Sequence, residues 1–293
     1  PWLYTAIYAA FWLVTAELLS LPWALYTDYF REHAYGLSNL SLGAWFGEGG
    51  KDLLVSLVIV PWIITGIFTA VRKAGETWWL RAGVAGFGVI LLLMMIAPVL
   101  ISPLFNDYKP LAEGPVKSAI FSLARANQIP TDNVVYFDAS KQTTRVSANV
   151  SGFAGTTQVS LNDNLLLKTS LPEIKAVMGH EMGHYVLNHS LRLAVYFSLV
   201  ILFGFWFVHV VLDKVLARIG PKYGITDRTD PAVLPIAIAV FSFLMLLLTP
   251  VTNSIVRQAE KEADLYGLNS AREPHGFATA AMRLSTYRKI QPG

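Results

Sequence analysis

The sequence has 293 residues, of which 54% are hydrophobic and only 15% are charged. Soluble domains usually carry roughly 25% charged residues, so the composition disfavours a water-soluble globular protein. The net charge of +3 is spread without a basic run, which argues against nucleic-acid binding. The chain contains no cysteine, so a metal site would have to use nitrogen and oxygen ligands.

Five apolar runs are each long enough to cross a bilayer, which takes about 20 helical residues. Tryptophans lie mostly near the ends of the early runs, as interfacial anchors do. The first run has no basic start and no small-residue cleavage site, so we interpret it as a span and not as a signal peptide. The sequence predicts a multi-pass membrane protein with spans at residues 1–26, 53–71, 82–104, 191–212 and 232–251.

A polar stretch at residues 105–190 separates the third and fourth spans. Within it, residues 109–127 pattern as an amphipathic helix and 134–138 as a strand. Residues 144–161 are typical of a hairpin that turns at 154–156. The expected organisation is three spans with their loops in 1–104, a small α+β domain in 105–190, two spans in 191–251, and a helix with a C-terminal region in 252–293.

Residues 171–188, LPEIKAVMGHEMGHYVLN, predict a helix at the end of this domain. Ser170 and Glu173 have the spacing of a capping box, and Pro172 falls in the first turn, where proline is tolerated. The helix carries the sequence His-Glu-Met-Gly-His, an H-E-x-x-H pattern.

His180 and His184 are four residues apart and therefore share one helix face, where both can bind one metal ion. Glu181 would then lie near the open position of the metal and could take a proton from a water molecule there. The alternative is a pair of ordinary helix histidines. Because the pattern matches a known catalytic arrangement, we favour the metal site.

A catalytic zinc usually has three protein ligands, so one more is required. His189 lies five residues after His184, which rotates it away from the face of the histidine pair. Glu260, on a second helical run, is the better candidate, and Asp264 lies one turn further on the same face. We expect Asp264 to accept the N–H of a ligand imidazole. The alternative for this run is a solvated charged face.

The predicted topology makes this site possible, because two spans separate residues 105–190 from the tail after residue 251. Both segments therefore lie on the same side of the membrane. The distribution of basic residues in the short loops would place that side outside, although long domains obey the rule poorly.

With these motifs in place, the chain resembles the integral-membrane zinc CAAX prenyl endopeptidases over nearly its whole length. The resemblance is carried by four segments, which are DYFREHAYGLSNLSLGAWF, SANVSGF, HEMGHYVLNH and RQAEKEAD. It implies a mainly α fold, a polytopic helical barrel that encloses a chamber, together with a small α+β zinc-protease domain. It also implies one zinc ion per chain, held by His180, His184 and Glu260. Glu181 would be the catalytic base and acid, and Asp264 would accept a hydrogen bond from a ligand imidazole.

The resemblance further implies a peptide or protein substrate that lies beside an edge strand. Asn149 matches the family's edge-strand asparagine, and we expect Val150, Ser151 and Arg257 to contact substrate with it. Gly152 follows Asn149 sooner than in the eukaryotic pattern, which favours a bacterial member. The family faces its site to the cytoplasm, and we prefer this to the charge rule. The lipid bilayer is the other expected partner, and the sequence indicates no partner protein.

The function expected from the resemblance is hydrolysis of peptide bonds in membrane-associated or C-terminally prenylated proteins. Three alternatives remain open: turnover of membrane proteins without prenyl specificity, a catalytically inactive zinc scaffold, and a transporter. Family members usually carry two further N-terminal spans and a C-terminal His-Pro pair, so we expect this sequence to be part of a longer chain.

Overall fold

A computed structural model of the protein describes residues 2–152, 157–225 and 227–288. The chain is mainly helical, with one small sheet. The α-helices are α1 (Trp2–Ala24), α2 (Arg31–Ala34), α3 (Leu42–Ala74), α4 (Trp78–Ile96), α5 (Pro115–Ala126), α6 (Asp163–Lys168), α7 (Leu171–Val186), α8 (His189–Tyr223), α9 (Leu234–Leu247), α10 (Thr249–Ala271) and α11 (Pro274–Arg288). The strands are β1 (Tyr108–Pro110), β2 (Asn133–Phe137), β3 (Ala148–Ser151) and β4 (Gln158–Asn162).

The described residues form two compact units. The first takes its residues from the segments 1–22, 49–93 and 192–255, and the second from 23–48, 94–191 and 256–293. The first unit holds most of the apolar helical residues. The second contains the sheet and the H-E-x-x-H helix.

By length and composition, three helical stretches in the described residues could cross a membrane: Trp2–Ala34, Leu42–Leu104 and His189–Tyr223. A fourth is added if Pro231–Leu247 and Thr249–Ala271, which meet at 58°, count as one span. All five predicted spans fall in these stretches, except for Pro1, which lies outside the described residues. That the chain crosses the membrane five times remains a prediction.

Two of the predicted spans fall in the 63-residue stretch Leu42–Leu104. At 1.5 Å per residue this stretch would be about 95 Å long, roughly three times the hydrocarbon thickness of a bilayer. It breaks between α3 and α4 at Gly75, whose φ of +52° suits glycine at a helix end. The fifth predicted span is not one straight helix, because α9 has only 14 residues and the chain bends before α10 begins. Pro250 explains the bend that follows, since it lacks an N–H and its ring clashes with a preceding helical turn.

The first unit has its main apolar core where α3, α4, α8 and α9 pack together. Val71, Trp78, Val208 and Leu212 are buried there. The indole N–H of Trp78 donates to Nδ1 of His209 at 3.2 Å, which gives this histidine a structural partner.

The second unit contains a sheet of strand order β1-β2-β4-β3, with β2 parallel to β4 and the other pairs antiparallel. The predicted strand at 134–138 is confirmed as β2. The predicted helix at 109–127 is wrong in its first part, where residues 108–110 form β1 and α5 begins only at Pro115. Pro110 disfavours helical geometry at the residue before it, and Pro115 is a favourable first helical residue.

The predicted hairpin is confirmed as the antiparallel pair β3 and β4, in which Val150 lies opposite Val159. Its predicted turn at 154–156, with Phe153, lies outside the described residues. Because β4 has β2 on its other side, β3 is an edge strand among the described residues.

Helix α7 packs one face against the core of this sheet. Ile174, Met178 and Met182, spaced four residues apart, are almost completely buried with Val159 and Leu161 of β4. Because a helix turns about 100° per residue, the side chains at 180 and 184 lie on a different face. The sheet therefore fixes which way the histidine pair points.

Candidate active site

The first turn of α7 is fixed by the predicted capping box. The backbone N–H and the hydroxyl of Ser170 both donate to Oε2 of Glu173 at 2.8 Å. Arg283 of α11 donates to the other oxygen, Oε1, at 3.1 Å. Burial alone would raise the pKa of Glu173, but these hydrogen bonds outweigh it and hold the pKa below its ordinary value. A contact from α11 thus stabilises the first turn of the H-E-x-x-H helix.

Helix α10 approaches α7 closely because glycines line the contact. A Cβ atom at Gly183 would lie 3.2 Å from Cα of Ala263. A Cβ atom at Gly267 would lie only 2.8 Å from the backbone nitrogen of His180. The fourth residue of the H-E-x-G-H sequence therefore has a packing role: it lets the helix that carries Glu260 come alongside the histidines.

His180, His184 and Glu260 each place a ligand atom within 4.8 Å of the others. The two Nε2 atoms are 3.0 Å apart. The carboxylate oxygens of Glu260 lie 3.5 Å from Nε2 of His180 and 3.7 Å from Nε2 of His184. Bonds of about 2.0–2.1 Å in a tetrahedral site separate neighbouring ligand atoms by about 3.3–3.4 Å. The three residues therefore fit one tetrahedral ion with a fourth position left over.

Each imidazole of the pair has a hydrogen-bond partner on its far nitrogen. Nδ1 of His180 lies 2.8 Å from Oδ1 of Asp264, as expected for a carboxylate that orients a ligand. Nδ1 of His184 lies 2.9 Å from Nδ1 of His189, a residue that the helix-face argument had set aside. Burial and then the neighbouring His180 lower the pKa of His184, so its ring is neutral at pH 7 and has a lone pair for a metal.

Glu181 is partly buried and lies close enough to Glu260 for the two carboxyl groups to interact. Burial, and then the negative charge of Glu260, raise the pKa of Glu181 to about 8. A divalent cation held by the cluster would oppose this shift, because its charge favours a nearby carboxylate. The pKa of Glu181 thus depends on the charge at the cluster.

The edge strand β3 packs beside α7. Ser147, just before β3, accepts the N–H of Asn162, the residue opposite it. Hydrogen-bonded pairs alternate along an antiparallel ladder, so Asn149 and Ser151 continue the bonding to β4. The N–H and C=O of Val150 consequently face the outer edge. The side chain of Asn149 is exposed.

Arg257 lies on α10, nearly one turn before Glu260, and its side chain is exposed. It adds a positive charge to α10 three residues before the candidate ligand Glu260.

A two-helix cluster of this kind, in a chain with several long apolar helices, is typical of one class of protein, the integral-membrane metallopeptidases of H-E-x-x-H type. Comparison with known proteins leads to the family. Residues 110–290 match peptidase family M48, and residues 1–107 match the CAAX prenyl protease N-terminal domain, described as five membrane helices. The chain belongs to peptidase family M48.

Among its relatives, an uncharacterized metalloprotease, YhfN, of Bacillus subtilis is 31% identical over 87% of this chain and 59% of its own length. A CAAX prenyl protease 1 homolog of rice is 26% identical over 93% of this chain and 64% of its own length. The crystal structure of S. mikatae Ste24p superposes with a TM-score of 0.77 at 25% identity, covering 97% of this chain and 69% of that one. This chain thus spans about 60% of the length of these two curated relatives.

Proposed function

We propose that the protein is a membrane zinc metalloendopeptidase that hydrolyses peptide bonds in membrane-associated or C-terminally prenylated proteins. The observation that carries the proposal is the convergence of His180, His184 and Glu260 within 4.8 Å, with Glu181 next to them. Two imidazoles and one carboxylate with a free fourth position are one of the ligand sets that catalytic zinc sites use. One zinc ion per chain follows from the single cluster found in the described residues.

Zinc bound there would lower the pKa of a coordinated water to about 7 and polarise the carbonyl to be cleaved. Glu181 accepts the proton of the attacking water and delivers it to the amine that leaves. Asp264 holds the ring of His180 through Nδ1, so that Nε2 stays directed at the cluster. We assign to Arg257, whose side chain is exposed, a contact with the substrate backbone.

The substrate binds as an added strand along the outer edge of β3. Val150 offers an outward N–H and C=O, which an extended peptide can pair with. Asn149 and Ser151 flank this position, and the exposed amide of Asn149 adds a side-chain contact. Strand addition at this edge is sequence-tolerant, since main-chain groups supply most of the recognition.

The prenylated substrate is proposed because relatives from plants, fungi and animals bear the name CAAX prenyl protease. A second candidate, turnover of membrane proteins without prenyl specificity, is favoured by the bacterial relative, whose name carries no prenyl function. The retained Glu181 argues against an inactive scaffold, since that carboxylate is not among the proposed ligands. We further propose that the site faces the cytoplasm, as in the family that the sequence resembles.

The test uses the full chain purified in detergent with zinc. A farnesylated peptide with a C-terminal CAAX sequence is compared with the same peptide carrying serine in place of the farnesylated cysteine. We expect one zinc per chain and faster cleavage of the farnesylated peptide. Equal rates would favour the second candidate. Cleavage of neither peptide by the zinc-loaded protein would contradict the enzymatic proposal.

A further inference from the structure

His189 is a nearly completely buried histidine whose two ring nitrogens both have partners. It is 1% exposed. Its Nδ1 lies 2.9 Å from Nδ1 of His184, and its Nε2 lies 3.1 Å from Oε2 of Glu262. A buried imidazole aligned between a candidate ligand and a carboxylate has more than a packing role.

The chain reaches this arrangement through a break between two helices. Helix α7 ends at Val186, Asn188 has a φ of +53°, and α8 begins at His189. Asparagine is among the few residues that adopt this left-handed geometry readily. The break turns His189 back toward α7, whereas an unbroken helix would have carried it away from His184.

The direction of each hydrogen bond follows from the orientation of His184. Its Nε2 faces the cluster, 3.0 Å from Nε2 of His180. In the neutral ring the proton is then on Nδ1, which donates to Nδ1 of His189. His189 in turn carries its proton on Nε2 and donates it to Glu262.

Glu262 is itself held in place. Its other oxygen, Oε1, accepts a hydrogen bond from the amide of Gln258 at 2.7 Å. Both residues lie on α10, the helix that also supplies Glu260 and Asp264. The same helix therefore orients both histidines of α7, one directly and one through His189.

We infer that His189 and Glu262 form a positioning relay that fixes the ring of His184 and strengthens Nε2 as a metal ligand. This inference rests on the proposed function, because it assumes that His184 binds zinc. His189 is a positioning residue and not a ligand: both its nitrogens are engaged, and it lies outside the cluster found in the described residues. The relay does for His184 what Asp264 does for His180. Loss of such partners typically weakens metal affinity by about 10- to 100-fold.

The test measures the zinc dissociation constant by competition with a chelator, using the full chain in detergent. His189→Leu removes both hydrogen bonds and replaces the imidazole with an apolar side chain of similar size. His189→Asn places an amide oxygen near the position of Nδ1 and so keeps the acceptor for His184. Glu262→Gln removes only the negative charge. Tyr266→Phe is the matched control, since it breaks a 2.6 Å hydrogen bond from α10 to Asn127 that involves neither His189 nor a candidate ligand.

We expect His189→Leu to weaken zinc binding by about 10- to 100-fold, without a matching fall in the melting temperature of the metal-free protein. His189→Asn should recover most of this loss, Glu262→Gln should lose less than His189→Leu, and Tyr266→Phe should bind as wild type does. Wild-type affinity in His189→Leu, or no recovery in His189→Asn, would overturn the relay.

If His189→Leu does not fold, Glu262→Gln decides, and wild-type zinc affinity in that variant would overturn the inference. A wild-type protein that binds no zinc would overturn the proposed function as well. A wild-type protein that binds zinc tightly, together with unaffected variants, would overturn the relay alone.

Discussion

Replacing Gly267 with alanine would push α10 away from α7 at the point where His180 lies. The added Cβ would be 2.8 Å from the backbone nitrogen of His180 and 3.0 Å from its Cα. Nonbonded carbon contacts normally lie at about 3.5–4.0 Å, so the helices must separate by roughly 0.5–1 Å. Both neighbours are backbone atoms, which cannot move aside by rotating a side chain.

This displacement is large for a metal site, in which ligand distances hold to about 0.2 Å. Overpacking of this kind costs about 1–3 kcal/mol. If the strain falls on the metal-bound geometry, zinc affinity drops by about 5- to 150-fold, since 1.4 kcal/mol is a factor of ten. Gly183→Ala should have a smaller effect, because its Cβ would lie 3.2 Å from Cα of Ala263.

The assay is zinc competition in detergent, with Gly86→Ala as the control. A Cβ at Gly86 would meet nothing within 4 Å, so this variant should bind zinc as wild type does. The expected order of affinity is wild type and Gly86→Ala, then Gly183→Ala, then Gly267→Ala. Wild-type affinity in Gly267→Ala would refute the idea that close helix packing sets the ligand geometry.

Two further predictions concern the outer edge of β3 and the first turn of α7. Val150→Pro removes an outward N–H and leaves the ladder to β4 intact, so peptide cleavage should fall while zinc content stays level; unchanged cleavage would rule out strand addition there. Glu173→Gln should lower the melting temperature at neutral pH, because it weakens the contacts to Ser170 and Arg283. The pKa of Glu173 is lower in the folded state than in the unfolded state, where it is near 4.3. The stabilisation from the ionised carboxylate is therefore complete above the unfolded pKa and is lost as pH falls through the folded pKa. The melting temperatures of wild type and variant should consequently converge in acid.

The helix of the H-E-x-x-H sequence was predictable because its signals are local. The capping box of Ser170 and Glu173 fixes where α7 begins, and the spacing of His180 and His184 fixes their shared face. The pairing of these histidines with Glu260 came from a second helical run far along the chain, and the even number of predicted spans between them served as a check. The structure brings the three together.

The features that the sequence argument missed depend on chain breaks and on tertiary contacts. His189 was set aside by counting along one helix, a rule that no longer applies once α7 ends before Asn188. An asparagine at the end of a helical pattern was the signal that could have indicated the break. The predicted helix at 109–127 includes Lys109 and Pro110, but its apolar face starts only at Val116, and pairing with β2 decides the conformation of the residues in β1.

The central claim is that Glu181 moves the proton in peptide hydrolysis at a zinc ion held by its neighbours. Glu181→Gln keeps the size of the side chain and removes the basic oxygen, so zinc content and melting temperature should match those of wild type. Loss of a general base typically slows a reaction by about 10²–10⁴-fold, so cleavage of the farnesylated peptide should fall at least about a hundredfold. Equal cleavage rates for wild type and Glu181→Gln, at equal zinc content, would contradict the mechanism.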